Sequence, residues 1–187
     1  LTFTENYSKI KNNFFILIFL LKKLIRIERY KEAQKCINTG INLINKTNII
    51  AEADFYCQYG IVSWKLDDIK SARKFFKKAS HIYDGIFMDV SFQNAYIDEL
   101  RAKASFFFIR YARFCTAQQM PEKAIDLFTR AIELDESNSE PVLELVKFYK
   151  GRYAVQKCVV LCTEFLKRYP NNEKVELELT TLETLDY

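Results

Sequence analysis

One helical face recurs along this chain. Ala72, Phe76 and Ala79, then Ala124, Phe128 and Ala131, repeat a small-large-small order at i, i+4 and i+7, which puts three side chains on one side of an α-helix. Small residues at two of the three positions let another helix approach closely, so the pattern calls for helix pairs packed in series. A step of 34 residues carries Ala124 onto Cys158 and Phe128 onto Cys162, and the turn after Leu134 onto Tyr169-Pro170-Asn171-Asn172. Towards the N-terminus the steps lengthen to 52 (Ala72 to Ala124) and 39 (Ala33 to Ala72). Insertions between units absorb the difference.

Composition removes the competing classes. With 187 residues, 49% hydrophobic and 28% charged, and only 4 Gly and 3 Pro, the chain is neither disordered nor collagen-like nor suited to most all-β folds. Periodicity predicts helices near 5–27, 30–45, 49–66, 68–84, 93–119, 121–135, 139–150, 153–169 and 172–186. Pro121 and Pro141 fit a first helical turn, where no N–H is needed, and Asn138 or Ser139 can cap the helix behind Pro141. Gly85 to Tyr96 read as an insertion, either a loop or an extension of the long helix that follows. The run Phe14 to Leu21 stops at Lys22 and Lys23, far short of the ~20 residues that cross a bilayer. It is predicted to be a buried helix, with a signal-peptide core as the alternative. A start at Leu1 rather than Met fits a segment of something longer. Val175, Leu177, Leu179, Leu182 and Leu185, set among glutamates, predict a solvating helix that caps the stack.

The first helix of each unit also carries a pattern. Tyr56, Tyr59-Gly60 and Ser63 in the second unit correspond to Phe108, Tyr111-Ala112 and Cys115 in the third and to Val142, Leu145-Val146 and Tyr149 in the fourth. The first unit offers Leu17, Leu20-Leu21 and Leu24, followed by Tyr30 and Ala33. With Ala-x3-Phe on the second helices, this resembles the tetratricopeptide repeat (TPR) family, whose signature also includes a glycine and a later proline. Here only the second unit keeps the glycine and only the fourth the proline, Pro170. The resemblance covers residues 14–172. It implies an all-α solenoid of about four helix-turn-helix repeats, near 14–46, 53–84, 105–138 and 139–172, with a C-terminal cap at 173–187, in a single helical-repeat domain. The heptapeptide from Phe108 to Phe114 is similar to the first helix of the half-a-TPR subtype, common in RNA-processing scaffolds.

Catalytic groups are scarce. His81 is the one histidine and there is no glycine-rich loop, so no Ser-His-Asp or Cys-His constellation can form without that residue. Asp67-Asp68 and Asp98-Glu99 stand where helices start, a place that favours carboxylates. Cys158 and Cys162 lie one turn apart, but no further metal ligands follow at short spacing and the repeat register makes both core positions. Five cysteines without a CxxC pair fit a reducing, intracellular compartment, cytoplasmic or nuclear. No enzymatic activity, cofactor or metal is expected.

Binding is the remaining class of work. The resemblance implies a concave groove lined by first helices, with Ile18, Lys22 and Ile25, then Cys57, Ile61, Trp64 and Lys65, then Ile109, Arg113 and Thr116, then Leu143, Lys147 and Lys150. Apolar and basic residues together suit an acidic-hydrophobic peptide or helix of a protein partner. The lysine-asparagine clamp used by chaperone-binding members is not expected, because Cys57, Ile61 and Phe106 stand at its positions and only Arg110 matches. Lys70, Lys74, Lys77 and Lys78, with Arg73, form a basic stripe on the second helix of the second unit. Residues 1–90 carry 15 basic and 9 acidic side chains, and 91–187 carry 13 and 15, so an RNA-contacting scaffold is the rival reading. A peptide-sensing regulatory domain is the third. The net charge of +4 is too small for a protein that coats DNA, and no membrane or small-molecule partner is expected.

Overall fold

The computed structural model describes residues 14–44, 48–88 and 97–184, and among them every regular element is helical. The chain divides into two compact units, 1–94 and 95–187. The first holds α1 (Phe14–Arg26), α2 (Tyr30–Gly40), α3 (Ile49–Lys65) and α4 (Ile69–Met88). The second holds α5 (Ile97–Ala117), α6 (Pro121–Leu134), α7 (Ser139–Lys150), α8 (Val155–Arg168) and α9 (Glu173–Glu183). Within the first unit α1 pairs with α2 and α3 with α4, while α3 also packs on α1 and α2. Within the second, α5 pairs with α6 and α7 with α8, α7 leans on α6, and α9 lies on both α7 and α8.

The small-large register read from the sequence is the packing register. Ala33, Ala72, Ala124 and Cys158 are fully buried, as are Ile37, Phe76, Phe128 and Cys162 four residues on. Glycine marks the tightest approaches. A Cβ at Gly60 would lie 2.9 Å from the Phe76 ring, and one at Gly40 would lie 2.5 Å from the Phe55 ring, so these two helix-interior glycines trade helix propensity for close contact.

The turns repeat as faithfully as the helices. Inside each pair one residue adopts a left-handed backbone: Glu28 (φ 57°), Asp67 (φ 62°), Gln119 (φ 54°) and Tyr153 (φ 57°). Each stands two residues before the second helix. The amide after it reaches back five residues, Arg29 to the Leu24 carbonyl, Asp68 to Ser63, Met120 to Cys115 and Ala154 to Tyr149, at 2.8–3.0 Å. That is a Schellman closure, which normally places glycine at the left-handed position. Between pairs the device changes to asparagine caps. Asn48 Oδ1 accepts the Ile50 N–H at 2.7 Å and Asn138 Oδ1 accepts the Glu140 N–H at 3.0 Å, while Asn172 Oδ1 accepts the Val175 N–H at 3.2 Å ahead of the last helix. Tyr153 is 95% exposed, so its side chain contributes little and its left-handed backbone is strained. Tyr153→Gly should therefore stabilise the protein by about 1 kcal/mol, read as a higher urea midpoint; a lower midpoint would show that the turn is not strained.

Several expectations change. α1 is not a buried helix: Phe14, Leu17, Ile18, Leu21 and Leu24 enter the core, but Phe15, Ile16 and Phe19 are exposed. An apolar run hides which of its faces is turned outward. α2 ends at Gly40 rather than near residue 45. α4 continues to Met88, because Tyr83 and Ile86 still extend its buried side, so Gly85 to Met88 belong to this helix. The rest of the expected insertion, 89–96, lies outside the described residues, as do the expected helix start at residue 5 and Leu185. In α9, Val175 and Leu182 join a core with Val142, Val146, Cys158, Cys162 and Phe165, while Leu177 faces solvent.

Candidate partner-binding faces

In the first unit the two first helices are tied side by side by an ion pair from Lys22 on α1 to Asp54 on α3. Asp54 also accepts a hydrogen bond from Gln58 Nε2 at 3.0 Å. Phe15, seven residues before Lys22 and so on the same side of α1, is 61% exposed, and Phe19 is 71% exposed. Farther along α3, Trp64 is half-buried and Lys65 exposed, with the Lys65 ammonium 5.3 Å from the indole centroid. Such a contact contributes about 0.5–1 kcal/mol at a surface. Ile61, expected to line the groove, is 5% exposed and belongs to the core with Cys57 and Ile18. Its β-branched side chain falls on the buried face of a helix whose apolar arc is wide.

In the second unit Arg113 on α5 reaches α7, donating from Nε to Glu144 Oε1 at 2.8 Å and pairing with Glu140 at 2.8 Å. Burial works against the Arg113 charge, but its bonds to Glu144 and Glu140 outweigh that and hold its pKa above the ordinary value. Lys150 on α7 donates to Glu178 on α9 at 2.8 Å, and this bond raises its pKa. Lys147 is exposed and enters no ion pair among the described residues. Ile109 is buried, Leu143 half-buried and Thr116 exposed, with the Thr116 hydroxyl donating back to the Ala112 carbonyl at 3.1 Å.

One rule joins both units. A cation on one first helix meets a carboxylate on the next first helix, 32, 31 and 28 residues later for Lys22, Arg113 and Lys150. Three of the cations expected to line the groove, Lys22, Arg113 and Lys150, are thus neutralised from within, whereas Lys65 and Lys147 enter no ion pair among the described residues. The sequence signal was present in Asp54, Glu140, Glu144 and Glu178, one repeat ahead of each cation. Phe15 and Phe19 were missed because the run that contains them looked uniformly buried.

The basic stripe lies on the exposed side of α4. Lys70, Arg73, Lys74, Lys77 and Lys78 all face solvent, and among the described residues the last four enter no ion pair. Beneath them Tyr59 stacks on Phe75 at 3.7 Å between centroids, and Tyr56 on Phe75 at 5.7 Å. Lys78 sits 4.9 Å from the Tyr56 centroid and Lys74 5.5 Å from that of Phe75. Tyr56 and Phe75 are buried, so they support the lysines rather than offer a stacking surface.

Asp68 and Glu99, acidic residues near helix starts, have structural roles. Asp68 Oδ1 accepts the Ser71 N–H at 3.0 Å, capping α4, and hydrogen bonds from Ser71 hold its carboxyl below the usual range. Glu99 pairs with Lys103 at 2.6 Å along α5. His81 is exposed, and all five cysteines are buried; the Cys158 thiol donates to the Val146 carbonyl at 3.4 Å. Among the described residues no group of three His, Cys, Asp or Glu is placed to hold a metal, and no helix is long and apolar enough to cross a membrane.

A tetratricopeptide repeat model matches residues 53–82, the pair formed by α3 and α4. No curated protein matches the sequence. Among solved structures, the chain is similar to one from the APC/C hetero-tetramer Cut9-Hcn1, with 13% identity and a TM-score of 0.65 over 91% of this chain, which spans 29% of that one. It is similar to YrrB, a TPR protein with an unusual peptide-binding site, at 14% identity and a TM-score of 0.60 over 97% of this chain and 82% of that one. MamA matches at 14% identity and a TM-score of 0.62, over 91% and 86% of the two chains. With a tetratricopeptide repeat at 53–82, and the same helix-pair register running through both units, the chain has the all-α solenoid fold of the TPR proteins.

Proposed function

We propose that this chain is a non-enzymatic interaction scaffold that holds an acidic-hydrophobic peptide or helix of a partner protein along its first helices, within a larger intracellular assembly. The observation that carries the reading is the exposed Phe15, with half-buried Trp64 and with Lys65, which enters no ion pair among the described residues, on the first helices of one unit. Aromatic anchors supply most of the energy at such interfaces, and flanking charges mainly steer. That YrrB carries a peptide-binding site on this fold supports the reading. The partner is obtained by stoichiometric co-purification from native cells. Trp64→Ala should then weaken the complex by about 2 kcal/mol, roughly 30-fold in Kd, with the melting curve unchanged. Parent-like affinity in both Trp64→Ala and Phe15→Ala would remove this face from the interaction.

The α4 stripe supports a second reading, RNA contact. Four cations on one helix face, without a carboxylate partner among the described residues, suit phosphates, and binding through them falls steeply with salt. Lys74→Glu would then reduce RNA binding and flatten its salt slope, while Trp64→Ala would leave both unchanged.

A further inference from the structure

The two units carry opposite charge on the same face of equivalent helices. The step of 52 residues that carries Ala72 onto Ala124 also carries Lys70 onto Glu122, Lys74 onto Asp126, Lys77 onto Thr129 and His81 onto Glu133. Every one of these charged and polar residues is exposed. On α4 and on α6 they stand at i, i+4, i+7 and i+11, the spacing of one helix face, so each stripe runs along about 17 Å of helix. Neither stripe is neutralised along its length. Asp84, the one acid of α4, accepts a hydrogen bond from Ser80 Oγ at 3.3 Å. On α6, Lys123 lies over the Tyr111 ring at 4.9 Å, and Arg130 pairs with Glu133 at 3.3 Å. Lys74, Lys77, Glu122 and Asp126 enter no ion pair among the described residues.

We propose that these stripes join copies of this chain, the basic stripe of α4 in one copy docking on the acidic stripe of α6 in another. Charge selects this pairing. Two α4 stripes would set cation on cation and two α6 stripes acid on acid, whereas α4 on α6 sets Lys70, Lys74 and Lys77 against Glu122, Asp126 and Glu133 with matching turn-to-turn spacing. A stripe that met only RNA phosphates would need no acidic counterpart in the same register of the same chain; a self-docking one requires it. Exposed ion pairs are individually weak and are screened by salt, so the association is built from the whole stripe and is salt-sensitive. The contact uses second helices and leaves the first-helix residues Phe15 and Trp64 to the partner peptide.

Sedimentation velocity of the full chain tests this. The parent should associate as its concentration rises at low ionic strength, with an apparent Kd at least ~10-fold higher in 1 M salt, where the screening length is about 3 Å. Two triple variants each reverse one stripe: Lys70→Glu, Lys74→Glu and Lys77→Glu on α4, or Glu122→Lys, Asp126→Lys and Glu133→Lys on α6. Each variant alone should be monomeric, because both of its stripes then have one sign. An equimolar mixture of the two should associate as the parent does, since the reversed α4 of one variant fits the reversed α6 of the other. Restoration in the mixture also shows that both variants are folded at these faces. If a triple variant loses its helices by circular dichroism, Lys74→Glu and Asp126→Lys mixed in the same way carry the test. A parent that stays monomeric at low ionic strength, or a mixture of folded variants that stays monomeric, would overturn the proposal. A monomeric parent that binds an RNA duplex through Lys74 would overturn it too and give the stripe to RNA.

Discussion

Phe76→Ala should lower the stability of the first unit by about 3–5 kcal/mol, the cost of deleting a fully buried aromatic ring and leaving a cavity. The ring is 0% exposed and lies against the backbone of Gly60, where a Cβ would come within 2.9 Å. Little can move in to fill the void, because α3 and α4 are joined by a closed turn and a tight helix contact. Urea unfolding followed by far-ultraviolet circular dichroism measures the loss. A second substitution isolates the cause. Gly60→Ala alone should destabilise by about 1–3 kcal/mol through overpacking, partly offset by up to ~1 kcal/mol of helix propensity. In the Phe76→Ala background the methyl group has room, and the same change should become stabilising. A Phe76→Ala protein within 1 kcal/mol of the parent, or a Gly60→Ala effect of the same sign in both backgrounds, would show that this contact does not anchor the repeat.

The buried second-helix face was legible because it obeys one simple rule. Ala72, Phe76 and Ala79 must lie on one side of a helix, and only close packing rewards that order, so the register could be read without knowing the partner helix. The turns were less legible for an equally physical reason. Left-handed helix ends usually announce themselves by glycine, yet here Glu28, Asp67, Gln119 and Tyr153 hold those positions, and the strain is met by the hydrogen-bonded closure rather than by residue choice. The long α4 went past its expected end because Gly85, a common stop signal, sits on an open face where a Cβ would meet nothing within 4 Å, while Ile86 stays buried.

The candidate faces were half legible. Residue type identified Lys22, Arg113 and Lys150 as first-helix cations, but their availability depends on carboxylates about a repeat away in sequence and beside them in space. That pairing is a property of the stack, invisible to any window shorter than a repeat. Exposure of Phe15 and Phe19 is hidden for the converse reason: an amphipathic test works by contrast between faces, and an apolar run with no polar residue before Lys22 offers none. Both failures come from reading helices singly in a fold whose surfaces are built from neighbours.

Raising the pH from 9 to 11 should destabilise both units through one buried thiol in each. Burial, with Glu32 nearby, pushes the Cys36 thiol up to about 11 from 9.0, and burial, with Glu178 and Cys158 nearby, does the same for Cys162. The native state therefore holds these protons more tightly than the unfolded chain. The stability they contribute is complete below pH 9 and declines as pH climbs through 11, because above 9 the unfolded chain binds fewer protons than the native one. Each thiol corresponds to at most about 2.7 kcal/mol, and solvent screening leaves roughly 1–2. Burial also pushes the Tyr83 phenol and the Cys158 thiol up, so these groups add to the alkaline loss with the same sign. Cys36→Ala and Cys162→Ala isolate the thiols from every other titrating group. Each variant starts less stable at pH 8, having lost buried volume, but its stability should fall less between pH 9 and 11 than the parent's, by about 1–2 kcal/mol. Parallel pH profiles for parent and variants would mean that these cysteines ionise as readily in the folded protein as in the unfolded chain, which their place in the helix interfaces forbids.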